Sequence, residues 1–132
     1  MSDIGLTHVA LPVRSLAASV AFYAKYAGMQ TVHQRPGVVW VSDLTRPFAL
    51  VLIETANEIS PLLPMAHLGV GVRAREEVDR ICQLAQDEQC LVRAPEDSGP
   101  PVGYWLLVRD PDGHTLEVAF GQELGKAAER TA

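Results

Sequence analysis

The sequence predicts an α+β fold of two βαβββ modules whose strands form an open, barrel-like sheet. The first observation is internal similarity: THVALPVR and AHLGVGVR, aligned on His8 and His67, both read His-x-x-aliphatic-x-Val-Arg and both precede a helical pattern. The second is that three short strand-like runs follow each helix. Repeat arrays need about three copies for stability, so two copies indicate a duplicated module.

The first module is predicted to cover residues 4–56. It begins with a strand at 5–12, where residues alternate between two faces. A helix follows, because Ser15 is a favourable N-cap, apolar residues recur at helical spacing after it, and Gly28 can end it. Three strands are expected next, at 30–35, 38–42 and 48–55.

The second module repeats this layout over residues 66–120. A strand at 66–73 leads into a helix at 75–88, which presents Val78 and Ile81 on one face. Three strands are expected after the helix, at 90–94, 103–109 and 114–120. The turn DPDG, with Asp, Pro and Gly where a type I turn favours them, joins the last two strands.

We expect the whole chain, residues 1–132, to be one domain, because its length suffices for a single hydrophobic core. Two prolines mark residues 57–65 as the linker between the modules, and residues 121–132 are a C-terminal tail. The segment RAPEDSGPPVG, rich in Pro and Gly, is expected to form a rim or lid over a pocket.

Composition narrows the class of partner. The formal net charge is −5 and no Lys/Arg cluster is present, which argues against nucleic acid because phosphates demand a basic face. No apolar run approaches the roughly 20 residues that span a bilayer, and the N-terminal sequence lacks the layout of a signal peptide. We therefore expect a cytoplasmic protein with a small-molecule partner and no membrane partner.

Strand alternation places polar residues together with small ones. His67 lies on one face with Gly69 and Gly71, while the aliphatic residues take the other face. His8 and Glu117 occupy corresponding positions in their strands. A buried carboxylate requires a partner, so we expect Glu117 and both histidines to face a cavity.

Glu54 lies near the end of the last strand of the first module, as Glu117 does in the second. Two histidines and one or two carboxylates in one pocket are typical of a mononuclear divalent metal site. We therefore predict His8, His67, Glu117 and Glu54 as ligands of one divalent ion, for which Zn, Ni, Mn and Fe are all suitable. Taken alone, Glu54 is equally well explained as a surface residue.

Four further residues bear on the site. Trp40 and Tyr104 are candidates for lining the substrate pocket, although filling the core explains both equally well. His33 and His114 lie beside turns, and we interpret them as loop residues without a functional role.

These features resemble the vicinal oxygen chelate superfamily, which includes glyoxalase I, bleomycin and fosfomycin resistance proteins and extradiol dioxygenases. The resemblance covers about residues 4–120, and DPDGHTLEV is its most specific piece. It implies two βαβββ modules around a metal ion, often within a homodimer. It also implies that His8, His67 and Glu117 are the shared ligands, and that Glu54 is the fourth ligand seen in glyoxalase I.

The resemblance does not extend to one enzyme. Glyoxalase I typically has Arg four residues after its first ligand and Asn four after its second, to hold the glutathione carboxylate. Pro12 and Glu58 stand there in this chain, so glutathione binding of that type is not expected. Leu107 replaces the tyrosine that extradiol dioxygenases place ten residues before the ligand Glu.

The function expected from the resemblance is metal-dependent lyase or isomerase chemistry on a small oxygenated substrate. The metal would polarise a carbonyl, and Glu117 or Glu54 would move the proton from the neighbouring carbon. One alternative is an Fe(II) extradiol-type dioxygenase, for which two histidines and one carboxylate suffice. Another alternative is a resistance protein that binds a drug without catalysis and without a metal.

Overall fold

The computed structural model describes residues 2–128, and its elements follow the predicted order with one short helix added. The elements are β1 (His8–Val13), α1 (Leu16–Ala27), β2 (Gln30–Arg35), β3 (Val38–Ser42), β4 (Ala49–Glu54), β5 (His67–Val72), α2 (Arg75–Asp87), β6 (Leu91–Asp97), β7 (Tyr104–Arg109), β8 (Thr115–Phe120) and α3 (Leu124–Ala127). The helix α3 lies in the predicted tail, of which residues 129–132 are outside the described part.

The chain divides into two compact units, Met1–Ser60 and Pro61–Ala132. The first contains a four-stranded sheet in the order β1-β4-β3-β2, and the second a four-stranded sheet in the order β5-β8-β7-β6. The β1–β4 and β5–β8 pairs are parallel and the other pairs are antiparallel. Each unit is therefore an open mixed sheet with a helix, which confirms the predicted α+β class and the two βαβββ modules.

Helix α1 begins and ends at the predicted residues. The Ser15 side chain accepts a hydrogen bond from the Ala18 backbone N–H at 3.2 Å, and Gly28 adopts the left-handed conformation with φ 64°. The Gly28 backbone N–H donates to the Tyr23 carbonyl oxygen. The two hydrogen bonds satisfy backbone groups that a helix leaves unpaired at its ends. Tyr23 and Tyr26 on this helix are buried, so its apolar side packs into the core of the first unit.

Helix α2 covers one face of the second sheet. Val78, Ile81 and Ala85 are buried along one side of the helix, and α2 contacts all four strands of its unit. Its first turn carries two acidic residues, which the positive end of the helix dipole favours. Between residues 2 and 128, no helix has the length and hydrophobicity needed to cross a membrane.

The predicted Pro- and Gly-rich loop is shorter than expected. Strand β6 extends to Asp97 with irregular pairing on both sides of Arg93, so the predicted strand at 90–94 was too short. Only residues 98–103 form the loop between β6 and β7. The sequence prediction ended the strand where regular alternation stops. In the structure β-bulges accommodate those residues, and the strand continues beyond them.

Gly103 allows this loop to approach the end of β8. Its φ is +86°, and a Cβ there would lie 2.3 Å from the Phe120 carbonyl oxygen and 2.8 Å from the Gly121 carbonyl carbon. Both atoms belong to the backbone, so they cannot move aside as a flexible side chain could. Only glycine fits at this position.

We expect Gly103→Ala to destabilise the protein more than Gly99→Ala, which is the matched control. Gly99 has a φ of +68°, and a Cβ added there would meet no atom within 4 Å, so both variants share the left-handed strain of about 1–2 kcal/mol. Only Gly103→Ala adds the backbone clash, at a further cost of about 1–3 kcal/mol. Urea unfolding measures the difference, and equal losses would contradict the close approach.

Candidate metal and substrate site

The pairing of β5 with β8 brings two of the predicted ligands onto one face. His67 is level with Thr115, and Gly69 is level with Glu117. Residues level in neighbouring strands share a face, and so do residues two apart in one strand. His67 and Glu117 therefore project from the same face, separated by about 7 Å along the strand direction.

The Glu117 carboxylate is buried and held by an amide. Its residue is 8% exposed, and Gln122 donates a hydrogen bond from Nε2 to Glu117 Oε2 at 2.8 Å. Gly69 provides the space, because a Cβ at this position would lie 3.4 Å from that same oxygen. Gln122 is thus the partner that a buried carboxylate requires, and it leaves Oε1 as the oxygen available to a ligand.

The orientation of His67 suits a metal ligand. Its Nδ1 lies 2.8 Å from the Pro64 carbonyl oxygen, which can only accept, so Nδ1 carries the proton. The lone pair is then on Nε2. Metal-binding histidines almost always donate their other ring N–H in this way, which fixes the tautomer and the ring orientation.

The first unit places His8 and Trp40 on one face. Ala10 is level with Val51, and Val51 is level with Trp40, so all three share the face of His8. Trp40 therefore lies where a residue lining a pocket beside His8 would lie. The His8 Nδ1 is 2.9 Å from the hydroxyl oxygen of the preceding threonine.

His33 shares this face. It lies in the strand predicted at 30–35, so its interpretation as a loop residue was wrong. It lies in β2, level with Trp40, and the two ring centroids are 5.0 Å apart. Its exposed ring accepts a hydrogen bond at Nε2 from Arg35 at 3.4 Å.

The structure does not bring Glu54 to His8. Glu54 is level with Val13, five residues along the strand from the level of His8, which is about 16 Å. It also lies on the opposite face of the sheet. Glu54 is level with Val13, which is five residues after His8, and residues an odd number apart in a strand point to opposite faces. Val51 is the residue of the first unit that corresponds to Glu117, because Ala10 is level with Val51 as Gly69 is level with Glu117. The distance of Glu54 from the end of its strand therefore does not predict its register.

Tyr104 lies on the helix-covered face and not on the face of Glu117. Its hydroxyl donates to Asp79 Oδ1 of α2 at 2.5 Å, and the Arg75 guanidinium is 3.7 Å from its ring centroid. The hydrogen bond to the Asp79 carboxylate raises the pKa of Tyr104, because it favours the protonated hydroxyl. The neighbouring Trp105 is level with Ala119 and so faces the same side as Glu117.

His114 has a structural role that its place after a turn did not suggest. It is 1% exposed, and its Nδ1 accepts a hydrogen bond from the Leu62 backbone N–H at 3.0 Å. The backbone N–H of Thr115 in turn donates to the Leu62 carbonyl oxygen at 2.8 Å. These contacts fasten the predicted linker to the β7–β8 hairpin, and they explain why His114 is buried.

Sequence analysis did not predict three residues that contact Glu117 or share its sheet face: Gln122 contacts its carboxylate, and Trp105 and Arg93 lie on the same face. Trp105 could have been found by counting alternate residues back from Glu117 through the hairpin. Arg93 could not, because the pairing of β6 shifts on both sides of it. Gln122 follows the last strand, where alternation gives no signal.

The described residues contain part of the predicted ligand set in one unit. His67 and Glu117 both belong to the second unit, whereas His8 and Glu54 belong to the first. Between residues 2 and 128, no group of three or more His, Cys, Asp or Glu side chains lies close enough to hold a metal ion. The complete set of ligands therefore stays a prediction.

Comparison with known proteins gives one family. The model of the glyoxalase/bleomycin resistance protein/dioxygenase superfamily matches residues 5–118. An uncharacterized protein of Pseudomonas aeruginosa is 37% identical over 133 residues, covering 94% of each chain. A trivalent organoarsenical cleaving enzyme of Thermomonospora curvata is 31% identical over 122 residues, covering 79% of this chain and 78% of that enzyme.

Solved structures show the same fold. The structure of a possible glyoxalase from Bacillus cereus superposes with a TM-score of 0.72 at 26% identity, covering 89% of this chain and 99% of that one.

We expect Gln122→Leu to lower the free energy of unfolding by about 1–3 kcal/mol, because Glu117 would remain buried without its hydrogen-bond donor. The matched control is Gln83→Leu, whose amide donates to Asp87 at 3.0 Å on the exposed surface of α2. A surface change of this kind should stay within about 0.5 kcal/mol. Denaturant unfolding of both variants checks this, and a Gln122 variant as stable as the control would contradict it.

Proposed function

Because the chain belongs to the glyoxalase/bleomycin resistance protein/dioxygenase superfamily, we propose that it is a metal-dependent enzyme with glyoxalase-like lyase or isomerase chemistry on a small oxygenated substrate. One observation carries this proposal. His67 and Glu117 share a sheet face, and each is already oriented by a second contact, from Pro64 and Gln122 respectively.

The proposed ligands of one divalent ion are His8, His67 and Glu117. Imidazole nitrogen and carboxylate oxygen are suitable for zinc, nickel, manganese and iron. The available lone pair on His67 Nε2 and the space that Gly69 leaves beside the Glu117 carboxylate support this assignment. Glu54 is left out of the set, because it lies on the other face of its sheet.

The bound metal would polarise adjacent oxygens of the substrate as a Lewis acid, which acidifies the neighbouring C–H bond. Glu117 is the proposed base. Gln122 holds its Oε2, so Oε1 is both the proposed metal-binding oxygen and, when it is not coordinating the metal, the oxygen that would accept the proton from one carbon and return it to the next. The proton and the electron pair both stay in the substrate, so the product is an isomer.

We propose that glutathione is not part of the substrate. Pro12 and Glu58 are exposed in the first unit, and neither offers the donors that bind a glutathione carboxylate in glyoxalase I. The substrate would therefore be recognised by groups on the sheet faces.

A second candidate function is oxygen-dependent cleavage by Fe(II). Without Glu54, the proposed ligand set is two histidines and one carboxylate. Non-haem Fe(II) oxygenases use this set, which leaves coordination positions of the iron open. The similarity to the trivalent organoarsenical cleaving enzyme of Thermomonospora curvata favours keeping a bond-cleaving reaction as this second candidate.

We also propose that the protein is a homodimer. Two pairs of large apolar side chains project into solvent just before β1 and β5, at positions equivalent under the repeat: Ile4 at 91% and Leu6 at 86% exposed, Leu63 at 61% and Met65 at 99%. Exposed apolar surface of this kind is characteristic of protein interfaces. The proposed location is the cytoplasm, which agrees with the finding that neither Cys82 nor Cys90 is in a disulfide.

We expect the protein purified without added metal or chelator to contain one divalent ion per chain. His67→Ala should lose most of it, because an imidazole ligand is removed. His33→Ala is the matched control, since His33 is also an exposed strand histidine but is not a proposed ligand. Elemental analysis of the three proteins decides the matter, and equal metal content would count against the site.

We expect the metal-loaded protein to catalyse exchange of the C–H hydrogens of dihydroxyacetone in D2O. Glu117→Gln should slow this exchange by about 10²- to 10⁴-fold, because a general base is lost. Glu54→Gln is the control and should keep the rate. Proton NMR follows the exchange, with denaturant unfolding to confirm that each variant is folded.

Equal rates for Glu117→Gln and the wild type would remove Glu117 as the base. Oxygen consumption by the iron-loaded protein with catechols, without any hydrogen exchange, would instead support the dioxygenase.

A further inference from the structure

The sheet face that carries His67 and Glu117 also carries a cation stacked on an aromatic ring. We propose that Arg93 and Trp105 form a subsite for an oxyanion of the substrate. The substrate would then be a small planar compound with adjacent oxygens at one end and a carboxylate or phosphonate at the other. This inference rests on the proposed function, because Glu117 and His67 are taken to hold the chelated end.

Strand pairing places Arg93 in line with Glu117. Arg93 is level with Leu107, and Leu107 is level with Glu117. The two outer residues are therefore separated by two strand spacings, or about 10 Å between backbones. Both side chains project from the same face, so a ligand that contacts both would lie across the strand between them. Leu107 provides an apolar floor between them.

The guanidinium of Arg93 is held in place before any ligand binds. It lies 4.9 Å from the Trp105 ring centroid, and its Nη2 donates a hydrogen bond to Glu96 Oε2 at 2.6 Å. The indole N–H in turn donates to the Ser98 hydroxyl at 2.9 Å. A guanidinium has five N–H donors in a planar fork that matches an oxyanion, so donors remain after Glu96 is bound.

Comparison with another ion pair shows what is distinctive about Arg93. Arg80 and Glu77 form a pair of the same sequence spacing, with side chains about as exposed as those of Arg93 and Glu96, at 58% and 46% against 54% and 49%. Pairs of this kind contribute little to stability. Arg93, unlike Arg80, lies over an aromatic ring on the face of Glu117, so its position is explained by recognition better than by folding.

The ring stack also favours a planar substrate. A ligand that binds the guanidinium of Arg93 would come close to Trp105, because the guanidinium lies 4.9 Å from the centroid of that flat apolar ring. Gly71, level with Ala119 in the same row as Trp105, has no side chain to fill the space. A single unsaturated ring or a short conjugated chain fits these constraints.

The test uses 3,4-dihydroxybenzoate and its methyl ester as probes. Both have two adjacent oxygens, and only the acid has the oxyanion at the far end. Isothermal titration calorimetry would compare wild type, Arg93→Gln and the matched control Arg80→Gln, each metal-free and loaded with zinc. A third probe, 3,4-dihydroxyphenylphosphonate, distinguishes a phosphonate site from a carboxylate site.

We expect wild type and Arg80→Gln to bind the acid or the phosphonate about tenfold more tightly than the ester, because a charge-assisted hydrogen bond is gained. Arg93→Gln should bind the acid and the ester alike. The tighter of the two oxyanions identifies the source of the anionic group. Equal acid-to-ester ratios in wild type and Arg93→Gln would overturn the subsite, and so would the absence of binding by both probes.

Failure of the metal site has a different signature. If zinc improves the binding of neither probe, the proposed function loses support, while the acid-to-ester ratio in the metal-free protein still tests Arg93. If zinc strengthens both probes equally and the ratio is unchanged by Arg93→Gln, only the subsite is wrong.

Discussion

The register of the parallel β5–β8 pair is the constraint on which the candidate site depends. It sets Gly69 beside Glu117, which leaves room for a buried carboxylate, and it keeps His67 on the same face. A slip of one residue would turn the carboxylate into the helix-covered core, where burial of a charge is costly. Gln122 donates a hydrogen bond to one oxygen of this carboxylate. The hydrogen bond orients the carboxylate and leaves its other oxygen available to a ligand.

Much of the fold follows from local rules that the sequence shows directly. Ser15 and Gly28 end α1 as capping chemistry requires, and the repeated pattern around His8 and His67 gives two equivalent modules. Alternation also correctly places His67 and Glu117 on one face, because both lie in strands that pair without a shift. Local periodicity is sufficient where pairing is regular.

The remaining site residues depend on pairing that local rules do not contain. Glu54 matches Glu117 by its distance from the strand end, but the register makes Val51 the equivalent residue. Tyr104 is a pocket candidate from the sequence, yet its neighbour Trp105 faces that side, because register through a hairpin decides between adjacent residues. Arg93 lies between two irregularities of β6, where alternation fails and only the three-dimensional pairing reveals its face.

The proposed metal site requires His8, His67 and Glu117 to bind one ion. The most direct test is anomalous diffraction at the absorption edges of zinc, nickel, iron and manganese, from crystals grown without added metal. We expect a single peak within about 2.0–2.2 Å of Nε2 of both histidines and of a Glu117 carboxylate oxygen. A map without such a peak, or an ion bound by other residues while these three side chains diverge, would contradict it.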